Sequence, residues 1–271
     1  MIQLQTILSI AAPELAAYRS MKQQRDHFAR RIFVAEGEKV VRRLLASSLT
    51  VVSALLAEEW FPELEPLLRA RSEIIQVFIA PKSELEKLTG FHLYQGVLAI
   101  AQIPGAISLE QVLKNFARPL LLAAVDGLTN SENLGVLVRN CAAFGVQVLL
   151  VGERTAHPYI RRAVRNSMGT LFQLPLVEST CLADTLRELR RGGVRCVAAH
   201  PHTNQSTLTE ADLKNDCCLV FGSEGLGVSL AVLAACDQAV AIPMPATVDS
   251  LNVSSAAAVF LYEAARQRGR M

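Results

Sequence analysis

The sequence predicts an α/β fold, and two features support this prediction. Short apolar runs of strand length recur along the chain, among them Cys217–Phe221 and Ala239–Ile242, and turn residues follow each of these two runs. Segments with the apolar spacing of helices separate the strand-like runs, and uninterrupted apolar strands are typical of a parallel sheet covered on both faces. The length of 271 residues allows one large domain or two of modest size.

The predicted organisation is a small N-terminal α/β module at residues 1–103, a helical connector at 104–118 and a larger domain at 119–271. Residues 1–31 are predicted to be helical, and a short strand then leads to a turn at Gly37 and another helix. A later helix is predicted to begin near Pro81 and to end at Gly90, before the apolar strand YQGVLAIAQI. Pro104 and Gly105 mark the module's end.

The larger domain begins with the apolar strand LLLAAV, which ends at Asp126. The helix NLGVLVRNCAAFGV follows, with Asn133 at its start and Gly145 at its predicted end. Arg139 lies nearly two turns into this helix between apolar flanks, so we expect it to emerge from a largely buried helix and to need partners. An ion-pairing arginine on the helix surface is the alternative interpretation.

Two loops near the C-terminus are the candidate ligand site. The first, after Cys217–Phe221, has the spacing Gly222-x-x-Gly225-x-Gly227, which differs from the G-x-G-x-x-G fingerprint of dinucleotide binding. The second, after Ala239–Ile242, is rich in proline and polar residues and leads into an Ala-rich helix. Because ligands bind at the carboxyl ends of strands in open α/β sheets, we expect the two loops to share one pocket. The alternative is that the glycines only make a tight turn.

Composition excludes several classes of protein. The formal net charge is only +2, and the apolar runs are of strand length rather than membrane-span length. The N-terminus lacks the basic region of a signal peptide, so we expect a cytoplasmic protein with reduced, buried cysteines. We expect no metal site, because the cysteines form no CxxC pair and the two histidines that flank Pro201 lack a further ligand at metal spacing.

Charge is distributed unevenly in the N-terminal module. Between Arg19 and Arg43 there are eight Lys or Arg residues against three acidic residues, whereas acids predominate between Glu58 and Lys87. A module with one basic end can orient a polyanion such as RNA. A solvated helix face explains the charges equally well.

Three segments of the larger domain resemble, in order, the motifs of the SpoU-type (TrmH-like) RNA ribose 2′-O-methyltransferases: NLGVLVRNCAAFGV, FGSEGLGVS and IPMPATVDSLNVSSAAA. The N-terminal segments FVAEGEKVV and TGFHLYQGVLAIA resemble the family's small substrate-binding module. This sequence departs from the family pattern at Ser131, where the family usually has Pro, and at Ala246, where the family usually has Gly. These departures affect loop conformation rather than chemistry.

The resemblance implies a trefoil-knotted methyltransferase domain that binds S-adenosylmethionine and works as a homodimer on RNA, with ribosomal RNA favoured over transfer RNA. It implies catalytic roles for Asn133, Arg139, Glu224, Ser250 and Asn252. It implies cofactor binding by Gly222, Ser223, Gly227, Ile242, Met244 and Leu251.

The predicted RNA-binding residues are Arg30, Arg31, Arg161 and Arg165. For Arg161 and Arg165, contact with phosphate is the functional interpretation and a solvated basic helix is the alternative. Simple capping of the last helix by Asp249 or Ser250 is the alternative interpretation of the second loop. A knotted enzyme that methylates a base, and an RNA-binding protein without turnover, are the competing functions.

Overall fold

The computed structural model describes residues 1–21, 23–89 and 96–270, without the side chains of Gln24 and Thr89. Three details of the sequence prediction lie outside the described residues. They are Lys22 in the basic segment, Gly90 as a helix end and Tyr94 at the start of a strand.

Strands and helices alternate along most of the described chain, as predicted. The strands are β1 (Ile2–Thr6), β2 (Ile32–Glu36), β3 (Val51–Ala57), β4 (Ile75–Ala80), β5 (Val97–Gln102), β6 (Leu121–Asp126), β7 (Val148–Val151), β8 (Leu176–Glu178), β9 (Arg195–Ala199), β10 (Cys217–Gly222) and β11 (Gln238–Val240). The helices are α1 (Ala16–Arg19), α2 (Gln24–Ala29), α3 (Glu38–Leu45), α4 (Phe61–Arg69), α5 (Lys82–Thr89), α6 (Leu109–Asn115), α7 (Ser131–Ala143), α8 (Arg161–Asn166), α9 (Leu182–Arg191), α10 (Leu230–Ala235) and α11 (Val253–Gln267).

The chain forms two compact units, and the first comprises Met1–Gly105 with Tyr159–Phe172. Its sheet has the strand order β1-β4-β3-β5-β2, in which β5 runs antiparallel to β2 and β3. The prediction that residues 1–31 are helical is wrong for Ile2–Thr6, which pairs in parallel with β4 from Ile75 onward. The backbone partner of this segment lies far along the sequence, and such pairing overrides local preference.

The segment Tyr159–Phe172 packs within the first unit, whereas the predicted boundaries assign it to the larger domain. The ring of Phe33 on β2 lies with its centroid 4.8 Å from that of Tyr159 and 5.6 Å from that of Phe172. Glu36, at the end of β2, is buried and accepts hydrogen bonds from Arg161 Nη1 at 2.8 Å and Arg165 Nη1 at 3.1 Å. An aromatic cluster and a buried ion pair therefore hold this segment in place.

The second unit comprises Ala106–Pro158 with Gln173–Met271 and contains a sheet of order β11-β9-β10-β6-β7-β8. Every pairing in it is parallel, which confirms the predicted parallel sheet. Leu122 and Val148 lie in an apolar core with Leu186 of α9, and the alternating residue Leu121 is also fully buried. Burial of both faces explains why these strands are continuously apolar. The trefoil knot stays a prediction.

The register of the second sheet aligns the ends of its central strands. Gly222 of β10 is paired with Asp126 of β6, and Val151 of β7 is paired with Val125 of β6. The loops that follow β6, β7 and β10 therefore begin side by side at one edge. Within the described residues, no helix is both long enough and apolar enough to cross a membrane.

Candidate functional site

The loop after β10 folds back on itself as a tight hairpin. Ser223 N donates to Gly227 O at 3.1 Å, and Gly227 N donates to Ser223 O at 2.9 Å. The hydroxyl of Ser223 also accepts a hydrogen bond from Leu226 N at 3.2 Å. Gly227 has a φ of 65°, which a residue with a side chain adopts only with strain. The glycines therefore do make a tight turn, and the expectation that the two loops share one ligand pocket stays a prediction.

Gly222 is required at the base of this hairpin for a different reason. A Cβ atom placed there would lie 2.0 Å from the carbonyl carbon of Gly227 and 2.2 Å from Val228 N. Two backbone segments thus run in direct contact, and only glycine allows this separation. The close approach holds the backbone of the loop at the carboxyl end of β10.

The second loop ends in a helix cap formed by Asn252. Its side-chain oxygen accepts a hydrogen bond from Ser254 N at 2.9 Å, at the start of α11. The alternative interpretation, in which Asp249 or Ser250 begins the last helix, is wrong because the helix starts at Val253 and Asn252 is its N-cap. This bond uses only the side-chain oxygen of Asn252 and leaves its amide nitrogen for another partner.

A polar network joins the three segments that the sequence singles out. Asn133 Nδ2 donates to Glu224 Oε1 at 2.5 Å, and Asn252 Nδ2 donates to Asn133 Oδ1 at 3.2 Å. Ser254 Oγ donates to the backbone oxygen of Asn133 at 2.9 Å. Asn130 caps α7 and thereby fixes the backbone around Asn133. A continuous series of hydrogen bonds therefore links the β10 loop to α7 and α7 to the start of α11.

A small cavity of about 60 Å³ lies beside the second loop. Four predicted site residues line it, namely Ile242, Met244, Ser250 and Leu251. His200, after β9, lines it as well and was not predicted. Its position after strand β9, which ends at the same edge as β10, is the signal that points to it. The predicted cofactor residues Gly222, Ser223 and Gly227 are not part of its lining.

Arg139 is exposed and emerges from a helix whose other face is buried, as expected, but the partners expected for it are not found. Among the residues that the structure describes, it has no hydrogen-bond or ion-pair partner, and Glu224 accepts a hydrogen bond from Asn133. The apolar residues around Arg139, such as Leu137, Val138 and Cys141, face the core while Arg139 points out of the same helix. Its five N–H donors are consequently available to a ligand.

The four predicted RNA-binding arginines occupy different environments within the first unit. Arg161 is only 15% exposed and forms an ion pair with Glu36, and its contact with RNA stays a prediction. Arg165 shares Glu36 but is 56% exposed, which leaves donors free. Arg30 and Arg31 are exposed, and Arg31 Nη2 donates to Pro104 O at 3.0 Å.

Asp126 is a buried carboxylate that the sequence prediction treated only as a strand end. Its side chain is 3% exposed, and Oδ2 accepts a hydrogen bond from Ser229 N at 2.7 Å. Oδ1 lies 3.4 Å from Nη2 of Arg154. An acid directly after an apolar strand, at the edge that carries the other loops, is the sequence signal that indicates it. No group of three or more His, Cys, Asp or Glu residues in the described chain is arranged to bind a metal ion.

Comparisons with known proteins agree with this arrangement. The model of the SpoU rRNA Methylase family matches residues 120–262. An uncharacterized tRNA/rRNA methyltransferase of Mycobacterium bovis is 34% identical over 246 residues, which cover 87% of this chain and 81% of that protein.

Two solved structures share the fold over nearly the whole chain. A crystal structure of an RNA 2′-O ribose methyltransferase has a TM-score of 0.81 and 29% identity, and covers 97% of this chain and 99% of its own. An AdoMet-bound rRNA methyltransferase from Sinorhizobium meliloti has a TM-score of 0.84 over 97% and 98% of the two chains, and at 23% identity it supports the fold alone. By its sequence and its parallel-sheet fold, the chain belongs to the SpoU family of RNA methyltransferases.

Proposed function

We propose that this protein transfers a methyl group from S-adenosylmethionine to a ribose 2′-hydroxyl of RNA, with ribosomal RNA as its substrate. The observation that carries the proposal is the network in which Asn133 bridges Glu224 and Asn252 beside the exposed Arg139 on the same helix. The likeness to a solved RNA 2′-O ribose methyltransferase at 29% identity supports the choice of the ribose as acceptor.

The residues at the sheet edge fit the cofactor. Ile242, Met244 and Leu251 supply apolar walls of the kind that adenine requires, and the cavity they line opens beside Ser250. At the end of the neighbouring strand β10, the backbone of Gly222 lies against the backbone of Gly227 and Val228, so peptide groups rather than side chains are found there. When bound there, the cofactor supplies a methyl group on a sulfonium, so the chain chiefly binds and orients the reactants.

The chain's own groups must hold the RNA and assist loss of the 2′ proton. A guanidinium stays protonated at neutral pH, so we assign Arg139 to holding an RNA phosphate and the ribose 2′-hydroxyl in place. The stronger form of this hypothesis is that Arg139 also acts as the general base that removes the 2′ proton. Asn133 and Asn252 fix the loops, because each uses its side chain to bridge two segments. Glu224 orients Asn133 and is available to the incoming ribose.

We propose further that two copies of the chain assemble around the site. Helices α7 and α11 pack on each other and expose apolar side chains at Val136, Val259 and Tyr262, next to Arg139 on α7. An arginine with no partner in its own described chain is suited to serve a pocket of a second copy. The free thiols support a reducing compartment such as the cytoplasm.

The test is methylation of ribosomal RNA and transfer RNA from a strain that lacks the gene, followed by digestion to nucleosides and mass measurement. We expect 2′-O-methylated nucleosides from the ribosomal RNA. Arg139→Lys keeps the charge but loses the planar fork, so we expect the turnover number to fall at least about tenfold. Arg187→Lys is the matched control, because Arg187 is an exposed helical arginine paired with Asp184 on α9.

The other candidate functions correspond to different outcomes of that experiment. Methylated bases would establish base modification, and modification of transfer RNA alone would establish the transfer-RNA enzyme. Binding of RNA without any methyl incorporation would establish a binding protein of the same fold. Turnover of Arg139→Lys equal to that of the native protein would remove Arg139 from the assigned role.

A further inference from the structure

Asp126 connects three loops of the sheet edge. It ends β6, its Oδ2 accepts the backbone N–H of Ser229 in the segment after β10, and its Oδ1 faces Arg154 after β7. At 3% exposure, such a carboxylate needs hydrogen-bond donors and a nearby positive charge to offset the cost of its burial. Arg154 supplies that charge.

Hydrogen bonds fix the turn that carries Arg154 to the end of β6 and to the loop after it. Thr155 Oγ1 donates to Val125 O at 3.0 Å and accepts from Gly127 N at 3.1 Å. Ala156 N donates to Leu128 O at 2.9 Å. Gly152 is packed so tightly that a Cβ atom there would lie 2.7 Å from Val125 O. The backbone of Arg154 is therefore held in place although its side chain reaches into solvent.

Most of the Arg154 guanidinium is free. Its side chain is 60% exposed, and its contact with Asp126 is a single one of 3.4 Å, so most of its N–H donors remain unused. The adjacent acid, Glu153, does not compete for it, because Glu153 Oε2 accepts the N–H of Leu182 at 2.9 Å. A fixed backbone with an open, charge-balanced guanidinium is the arrangement expected of an anion contact.

The location of Arg154 indicates which anion it contacts. The cofactor cavity lies at the ends of β9 and β11, on one side of β10, whereas Arg154 follows β7 on the other side. The β10 loop with Glu224 lies between them. Neighbouring strands are about 4.8 Å apart, so β7 is about 10 Å from β10, a distance suited to a phosphate next to the reacting ribose.

We propose that Arg154 binds a phosphodiester of the RNA strand beside the target ribose, and that Asp126 is the positioning residue that holds its guanidinium at the edge of the site. This inference rests on the proposed function for the location of the ribose. It adds a substrate contact on the second unit to the arginines predicted from the sequence.

The experiment measures binding of a labelled oligouridylate to the full-length protein as a function of salt, with the cofactor's demethylated product present. We expect Arg154→Gln to weaken binding about three- to tenfold at low salt. The slope of log K against log salt should fall by about 0.7, the value for one phosphate contact on a single strand. Arg154→Lys should restore the slope, because an ammonium still binds phosphate as a point charge. Binding of the demethylated product should be unchanged.

Arg187→Gln is the control, since Arg187 is 50% exposed and is also paired with an aspartate. Asp126→Asn should lower affinity for the oligouridylate while leaving the salt slope near the native value, because the charged Arg154 persists. A native slope in Arg154→Gln, or an equal change in Arg187→Gln, would overturn the inference. Absence of methyl transfer by the native protein, with the slope difference intact, would overturn the proposed reaction and leave the phosphate contact standing.

Discussion

Gly222 and Gly227 are in backbone contact, so that a Cβ atom on Gly222 would lie 2.0 Å from the carbonyl carbon of Gly227. This contact closes the hairpin after β10 and sets the positions of the peptide groups between them. Ser223 and Gly227 then exchange two backbone hydrogen bonds. The hairpin is therefore a rigid part of the site, and its geometry depends on the absence of one side chain.

The first prediction concerns this contact. Gly222→Ala should separate the two backbone segments and lower the melting temperature by several degrees, with loss of S-adenosylmethionine binding by calorimetry. Gly225→Ala is the control in the same loop, because a Cβ atom there meets nothing within 4 Å. We expect its melting temperature to match the native value. Equal melting temperatures for Gly222→Ala and the native protein would contradict the assigned contact.

A second prediction tests the cavity. Leu251 is 39% exposed and lines the cavity, so Leu251→Ala should cost little stability. It should weaken S-adenosylmethionine binding by about 1 kcal/mol, roughly fivefold, because apolar contact area is lost. Val248→Ala is the matched control, since Val248 is 43% exposed in the same loop and does not line the cavity. Affinities that fall equally in both variants would place the cofactor elsewhere.

The third prediction concerns Glu36 and its two arginines in the first unit. Glu36→Gln leaves Arg161 mostly buried without a countercharge, so we expect the free energy of unfolding to fall by about 3 kcal/mol. Chemical denaturation followed by tryptophan fluorescence measures this, because Trp60 lies in the first unit. Glu65→Gln removes the exposed pair with Arg69 and should cost less than about 1 kcal/mol. A midpoint shift no larger than in that control would argue against the buried pair.

The fourth prediction concerns the buried thiol of Cys141, its effect on stability at high pH and its protection from chemical labelling. Burial raises the pKa of this thiol from 9.0 to about 12. The folded state therefore favours the protonated thiol, and this contribution to stability is fully present below pH 9 and is lost as the pH rises toward 12. In the native protein at pH 8, we expect iodoacetamide to leave Cys141 unmodified and to label it only after unfolding, as read by peptide mass. Rapid labelling of Cys141 in the native protein would contradict its burial.

Much of the second unit follows from local pattern. The apolar runs predict β6, β10 and β11, and the turn residues predict where the loops after β10 and β11 begin, because runs of strand length and turn residues are visible in the sequence. The parallel sheet follows from strands that are apolar on both faces. The resemblance of three sequence motifs to a known family allowed Asn133, Glu224 and Asn252 to be selected together, and hydrogen bonds join these residues in the structure.

Local pattern fails where the partner of a residue lies far along the chain. Strand β1 is exposed over most of its length and is held by pairing with β4, so its burial shows no clear period. The exposure of Arg139 depends on which face of α7 packs against the core, and its apolar neighbours conceal this. The carboxylate of Asp126 accepts a hydrogen bond from the backbone N–H of Ser229, which is 103 residues away, so local pattern does not indicate this contact.

By itself, the sequence determined the parallel-sheet class of the second unit, the glycine-rich loop after β10 and the family of RNA methyltransferases. Backbone preference and the period of apolar residues depend on neighbours in the chain, so they are readable without coordinates. Only the tertiary structure decided that Glu224 contacts Asn133 rather than Arg139, and that Glu36 holds Arg161. Hydrogen bonds and ion pairs form only within a few ångströms, and folding alone sets which distant residues come that close.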